Sequence, residues 1–434
     1  MAEEVQPSAA ETALTDEVRT WIRDHWDPEM TMAAWWEALA DSGWGVPTWP
    51  KEWFGRDLPG DLAAIVTREM RAAKVPGVPA GLGSMLAGPT IVAHGNDEVK
   101  QRYLREIVNG QKGWCQLFSE PGAGSDLASL QTRAVRDGDE WVVNGQKVWT
   151  SGAHVADLGM LLARTDPDAP KHKGITYFAI DMDQPGVEVR PLREMTGRAM
   201  FNEVFLTDAR VRHDDIIGDL NQGWGVALTT LANERVGLGG GGGHTSGVPG
   251  KKGGMLERKA GEVASSGGGA RGAGMAMAMG GGAGGMLGAL AKAHGRDTDP
   301  VVRQKVAALH SVNEIMRYTG LRAKSASAQG RRPGPEVSTG KLNVSRTTRA
   351  SRELGLQILG AHGMLDGADA PVNGAIQAMA IFSPAVSIYG GSDEIQRNII
   401  GERVLGLPKE PSNDNDVPFR ELRVGTQRKP ADPA

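Results

Sequence analysis

Residues 114–126 read WCQLFSEPGAGSD, and residues 146–152 read QKVWTSG. The first passage runs from an apolar strand into a tight Gly/Pro turn. The second ends in a tryptophan beside two hydroxyls. Together they offer a flat aromatic wall, backbone amides, and the hydroxyls of Ser119, Ser125, Thr150 and Ser151. A planar ligand with hydrogen-bonding edges needs those groups. The Gly-x-Gly at 122–124 invites a dinucleotide-fold reading, which fails. Leu127 stands where the third glycine belongs, and no βαβ unit surrounds it.

Around these passages the hydrophobic period is two. Strands are expected at 132–135 and 141–143, flanking the turn Asp137-Gly138-Asp139. Asn144-Gly145 reads as a second hairpin before a strand at 147–150. Further strands are expected at 158–164, 175–180, 187–192 and 203–211. Strands without intervening helices imply an antiparallel barrel or sandwich over 111–220. The chain before it, 1–110, reads as helical. Leu14, Val18, Trp21 and His25 recur at helical spacing, Asp61 reads as an N-cap, and Asn96 caps a charged helix to about residue 108. Seven of the eleven tryptophans lie between Trp21 and Trp53, which reads as a Trp-rich core rather than an aromatic ligand cage.

From 221 to 408 helical spacing returns. Val302, Val306, Leu309, Val312 and Met316 form one stripe, 330–335 breaks it, and a long helix follows over 338–359, closed by Gly360 and Gly363. A four-helix bundle is the expected arrangement. Within it, 239–285 is too glycine-rich for a packed element, since 22 glycines lie between Gly237 and Gly288. It reads as a surface insertion, or as a flap over a substrate entrance with MAMAM at 275–279 as its apolar face. Residues 409–434 read as a polar surface tail. The overall class is α+β.

Composition narrows the function. The net charge of −4 gives no general attraction to nucleic acid or anionic membrane. The basic residues between Arg322 and Arg352 read as a solvated helix face. A single cysteine, Cys115, fits a reducing cytoplasm and no disulfide framework. No secretory signal is expected in residues 1–14, and no apolar run is long enough to span a membrane. The nine histidines show no metal-ligand spacing, so no metal site is expected. Gly340-Lys341 is not a P-loop end, because Leu342 follows and five residues separate Gly334 from Gly340.

The paired motifs resemble those of the acyl-CoA dehydrogenase family, whose flavin-binding strands carry Ser/Thr-E-P-G-A-G-S-D and then W-x-Ser/Thr. The resemblance covers about residues 15–408 and implies FAD as cofactor. It places Phe118 and Ser119 on the pyrimidine side of the flavin, Trp149 on the isoalloxazine and Ser151 near N5. Ser125 would contact the CoA part of the substrate. Three later passages resemble the family as well. In AHGRDTDPVVRQK, Arg296 matches an arginine that reaches a neighbouring subunit's flavin pyrophosphate, and Gln304 is the next contact. Gln357 to Gly360, QILG, matches a cofactor segment. Residues 388–406, IYGGSDEIQRNIIGERVLG, match the C-terminal signature, with Ser392 and Glu394 toward the adenosine. The shared arginine implies a homodimer or homotetramer, or a heteromer with a homologue.

One departure bears on mechanism. Many family members carry the catalytic glutamate after the signature tyrosine, where this chain has Gly390. Other members place it in a Glu-Arg segment on a C-terminal helix, and Glu234-Arg235 matches that segment. The resemblance therefore implies Glu234 as the base, with Arg235 a substrate contact. The Gly390 N–H keeps an oxyanion role, beside a ribityl hydroxyl of the flavin. The implied reaction is α,β-dehydrogenation of an acyl-CoA, with an electron-transfer flavoprotein as acceptor. An oxidase stays open as an alternative, as do a non-catalytic partner subunit and a nucleic-acid-adapted homologue. The charge balance speaks against the last.

Overall fold

The structure, a computed structural model, describes residues 8–239, 249–250, 254–265, 283–328, 337–409, 411 and 414–422. The chain opens with α1 (Ala9–His25), started by a capping box between Ser8 and Glu11. Its buried face is Leu14, Val18 and Ile22. Trp21 is half-buried and His25 is exposed, stacked on Trp21 at 5.0 Å. Next come α2 (Met32–Ser42) and α3 (Gly60–Ala72). Pro59 takes the N-cap position of α3, so Asp61, expected there, falls in the first turn. A π-helical turn, Gly83–Ala87, leads into α4 (Gly88–His94). Asn96 caps α5 (Asp97–Val108), its side chain accepting from the Val99 N–H at 2.9 Å. Trp35, Trp36, Trp44 and Trp49 are all buried. The indole N–H groups of Trp35 and Trp36 end on the carbonyls of Pro76 and Gly77, so these side chains are core rather than cage.

Seven strands follow: β1 (Trp114–Leu117), β2 (Arg133–Asp137), β3 (Glu140–Ser151), β4 (Leu158–Arg164), β5 (Ile175–Asp181), β6 (Val187–Leu192) and β7 (Phe201–Arg212). They form one sheet, a half-barrel, in the order β1-β4-β2-β3-β7-β6 with β5 added on β4. The pairing is antiparallel except where β1 runs parallel to β4 and the start of β2 meets its end. β4 is buried along its whole length. Leu158, Met160 and Leu162 enter one core, and Leu161 and Ala163 enter another, which accounts for its continuous apolar run. Asn144-Gly145 makes no hairpin. β3 continues through it, and the register against β7 slips there instead. The Asn144 amide exchanges two 3.0 Å hydrogen bonds with Asp208, which holds a φ of 52°. A bulge uses the same turn-prone chemistry as a hairpin.

The remaining helices are α6 (Gly223–Gly239), α7 (Ala260–Ser265), α8 (Ala283–Ala293), α9 (Pro300–Ala328), α10 (Val337–Leu359), α11 (Ala375–Val386) and α12 (Asp393–Ile399). α10 is the axis of this helical bundle, packing on α6, α8, α9, α11 and α12. Two expectations change here. Inside the glycine-rich stretch, Met255, Ala260 and Val263 are buried against the tryptophan core, and Gly250 donates to the Gly110 carbonyl at 2.7 Å. Their apolar side chains outweigh the glycine content locally. The segment 275–279 and the break at 330–335 lie outside the described residues. The tail is also anchored. Phe419 is buried, with the Arg164 guanidinium 3.5 Å from its ring centroid, and Arg420 pairs with Asp168 at 2.7 Å. Among the described residues, no helix is long and apolar enough to cross a membrane.

Candidate active site

A buried ion pair joins the two sequence motifs. Lys147 is fully buried, and its Nζ donates to Glu120 Oε1 at 2.8 Å and to the Phe118 carbonyl at 3.1 Å. The Glu120 carboxylate also accepts from the N–H groups of Gln131 (2.7 Å) and Thr132 (2.9 Å), closing the whole loop 120–132. Burial alone would push the Glu120 carboxyl up. The Lys147 charge and these hydrogen bonds outweigh it and hold Glu120 below the usual carboxylate range. Val148 N–H donates to the Ser119 carbonyl at 2.9 Å, so β3 runs beside the turn. Sequence reading missed this pair. Its signal was present: Lys147 keeps the inward phase of Trp141, Val143 and Gly145, a position where a charge needs a partner.

Beyond Lys147, β3 bulges against β7, and Trp149 sits in the bulge with a φ of 61°. A bulky residue in that region is strained, and such strain gathers at ligand sites. Trp149 is 58% exposed, its ring edge-on to Phe201 at 5.9 Å. Ser151 is exposed beside it, and Thr150 is buried with an unpartnered hydroxyl. Phe118 is buried edge-on to Tyr177 at 5.7 Å. Ser125 is exposed on the 120–132 loop. An open ring face, an exposed hydroxyl and an orphaned buried one fit a planar cofactor with polar edges. The structure thus brings Phe118, Ser119, Trp149 and Ser151 into one neighbourhood.

The other expected cofactor residues lie in the helical bundle. Arg296, after α8, pairs with Asp299 at 2.8 Å. Gln304 is exposed on α9, and Gln357 of α10 accepts from Lys305 at 2.6 Å. Gly360 ends α10 with a φ of 54°. Ser392 caps α12, accepting from the Ile395 N–H at 3.3 Å, and exposed Glu394 pairs with Arg397 at 3.1 Å.

Gly390 lies in the turn between α11 and α12 with a φ of 64°, followed by Gly391 at 82°. This turn is clamped from α10, which sequence reading also missed. Lys341 Nζ and Ser345 Oγ both donate to the Val386 carbonyl, at 2.9 and 3.0 Å. Arg349 reaches Ser387 Oγ at 3.1 Å and buried Asp393 at 3.0 Å. Gln396 Nε2 closes the turn on the Gly390 carbonyl at 2.9 Å.

Glu234 is half-buried on α6. One turn earlier, Thr230 bonds Thr90 (2.9 Å) and Tyr177 (3.2 Å), and Thr229 bonds His94 (2.8 Å). These contacts seat α6 on α4 and β5. Gln116 of β1, the strand that leads into the first motif, donates from Nε2 to Glu234 Oε2 at 3.5 Å. The side chain of Arg235 lies outside the described residues.

Known proteins show the same organisation. Models of the acyl-CoA dehydrogenase N-terminal, middle and C-terminal domains match residues 2–111, 115–209 and 268–405. The chain is 38% identical over 385 residues to acyl-CoA dehydrogenase IpdE1 of Mycobacterium tuberculosis, covering 87% of this chain and 88% of that one. It is also 38% identical over 373 residues to acyl-CoA dehydrogenase FadE34 of the same organism, covering 86% of this chain. The chain spans about half the length of that relative, 46%. Among solved structures, the Tcur3481-Tcur3483 steroid ACAD aligns with a TM-score of 0.68 at 27% identity, covering 94% of this chain and 100% of that one. The ChsE4-ChsE5 complex from Mycobacterium tuberculosis aligns at 0.66 and 26%, with 94% and 100% covered. With three domains matched in order and a full-length relative at this identity, the chain belongs to the acyl-CoA dehydrogenase family of flavoprotein oxidoreductases.

Proposed function

We propose that the protein is an FAD-dependent acyl-CoA dehydrogenase whose base is Glu234. The observation that carries this is placement. Position 390 holds no side chain, whereas a half-buried carboxylate on α6 faces β1, the strand that leads into the paired motifs. FAD, when bound, supplies an acceptor for the hydride of the β-carbon. Phe118, Ser119, Trp149 and Ser151 would hold its ring system, with Arg296, Gln304, Gln357, Gly360, Ser392 and Glu394 on its phosphate and adenosine parts.

The chain's own residues carry the acid–base work. The α-proton of a thioester is too weakly acidic for a free carboxylate, so the developing oxyanion needs a donor. The Gly390 N–H is that donor, fixed by the α10 clamp. Glu234 removes the α-proton, and a substrate that displaces water strengthens its basicity. Ser125 binds the CoA portion, and Arg235 is a further substrate contact. The absent side chain at Gly390 leaves room for a branched or ring-bearing acyl group, in keeping with the steroid ACAD among the structural relatives. An electron-transfer flavoprotein is the proposed electron acceptor.

A second reading concerns assembly. The expected cofactor residues are divided between half-barrel and helical bundle, and the family resemblance puts Arg296 on a neighbouring subunit's flavin, which supports a site completed by another subunit. That subunit is a second copy, or a homologue as in the ChsE4-ChsE5 complex. The test is anaerobic titration of the flavin-loaded protein with straight-chain, branched and steroid-side-chain acyl-CoAs. Wild type should bleach with at least one, and Glu234→Gln should keep its flavin and not bleach. Equal bleaching by both proteins sinks the assignment.

A further inference from the structure

Gln116 stands between Trp114 and Phe118 on β1 and its exit, so alternation puts all three side chains on one face. Trp114 and Phe118 are 5% and 4% exposed, in a core that also holds Val226 and Ala227 of α6, with Leu231 at its edge. A carboxamide on so apolar a face is unfavourable unless it is bonded. The bond it makes is the one to Glu234, 3.5 Å from Nε2 to Oε2, across the gap between sheet and helix. From this we infer that Gln116 is the positioning residue of the α-proton base: its amide holds the Glu234 carboxylate toward β1 and sets its basicity. The inference rests on Glu234 being that base.

The choice of side chain suits the task. A cation here would hold the carboxylate ionised so firmly that its basicity suffered. A second carboxylate would repel it, and an apolar residue would offer it no hydrogen bond from β1. A neutral donor at the long end of bonding distance orients Glu234 while leaving it basic.

Other charged groups approach α6. His94 from α4 contacts Thr229, and burial pushes its imidazole below the usual range. Tyr177 from β5 contacts Thr230. The π-helical turn brings no titratable group. α10 brings Lys341, Arg346, Arg349, Arg352 and Glu353. Of these, Lys341 and Arg349 are engaged around Val386 and Asp393, Arg352 bonds Ser383 and Glu353, and Arg346 is exposed. Arg235 follows Glu234 on α6 itself. His94 is the imidazole among these groups, and its replacement is the control below.

The experiment is the pH dependence of anaerobic flavin reduction by whichever acyl-CoA of the panel reduces wild type fastest. It is run on flavin-loaded wild type, Gln116→Leu, Gln116→Glu, His94→Gln and Glu234→Gln. Gln116→Leu should keep its flavin, lose about tenfold in rate, and move the acid limb up by about one pH unit, because a charged acceptor loses its donor. Gln116→Glu, nearly isosteric and thus informative even if the leucine variant misfolds, should move the limb further up through like-charge repulsion. His94→Gln should leave the limb in place. A wild-type rate and limb in both flavin-loaded Gln116 variants, with Glu234→Gln inactive, overturns the role of Gln116 alone. If Glu234→Gln still reduces its flavin, the base assignment fails and this inference falls with it.

Discussion

Lys147 is the residue on which the site's geometry depends. Its ammonium is removed from water and met by Glu120 at 2.8 Å, and the same carboxylate gathers two backbone amides of the loop that follows. Replacing Lys147 by Met leaves Glu120 buried and uncompensated, which costs about 3–5 kcal/mol. Urea unfolding followed by tryptophan fluorescence should show that loss, and purified Lys147→Met should retain less flavin. Adding Glu120→Leu should recover part of the stability, since the pair rather than either charge is the unit. A single variant within 1 kcal/mol of wild type contradicts this account. The flat groups at Trp149 and Ser151 were legible in the sequence because turn and strand signals are local. Lys147 was legible only by half: its inward phase is in the sequence, but its partner lies across a turn and only the fold shows that both are dry. The same holds for Gln116, whose partner is contributed by a distant helix.

At the scale of elements, the strands were the most legible part. β4 and β6 run where alternation and apolar runs put them, and Asn96 starts α5 as its side chain requires. The misreadings share one cause: a local signal with two structural uses. Asn144-Gly145 serves a bulge as well as a hairpin, Asp61 serves a first turn as well as a cap, and a glycine-rich stretch can still carry apolar anchors such as Met255. The tail shows this most clearly. Its polar composition suggested a surface extension, yet Phe419 covers Arg164. That guanidinium donates to the Ala128 carbonyl at 2.6 Å and to the Lys171 carbonyl at 2.7 Å. Burial pulls Arg164 down to about 10, so it stays charged at neutral pH. Phe419→Ala should therefore destabilise the sheet by roughly 2–3 kcal/mol, the loss of a buried aromatic ring. Hydrogen exchange should rise in 126–131 and 166–171, the segments joined by Arg164 and the tail. Unchanged protection there means the tail is a passive cover.

On the scale of the whole molecule, the half-barrel presents an open tryptophan face, and the helical bundle presents Arg296 and the 388–394 turn. α6 links the two, packing on β5 at one side and on α10 at the other. Glu234 is carried by that linking helix, so the proposed base belongs to the junction between sheet and bundle rather than to either part. The claim that Glu234 is the base can be read without any hydride transfer. A 3-thia-acyl-CoA has sulfur in place of the β-carbon and cannot be dehydrogenated, yet its α-protons can still exchange. Incubation of the flavin-loaded protein with this thioester in deuterium oxide, followed by mass spectrometry, measures proton removal alone. The account predicts α-deuteration by wild type and none above the uncatalysed rate by flavin-loaded Glu234→Gln. Deuteration by Glu234→Gln at the wild-type rate would contradict it.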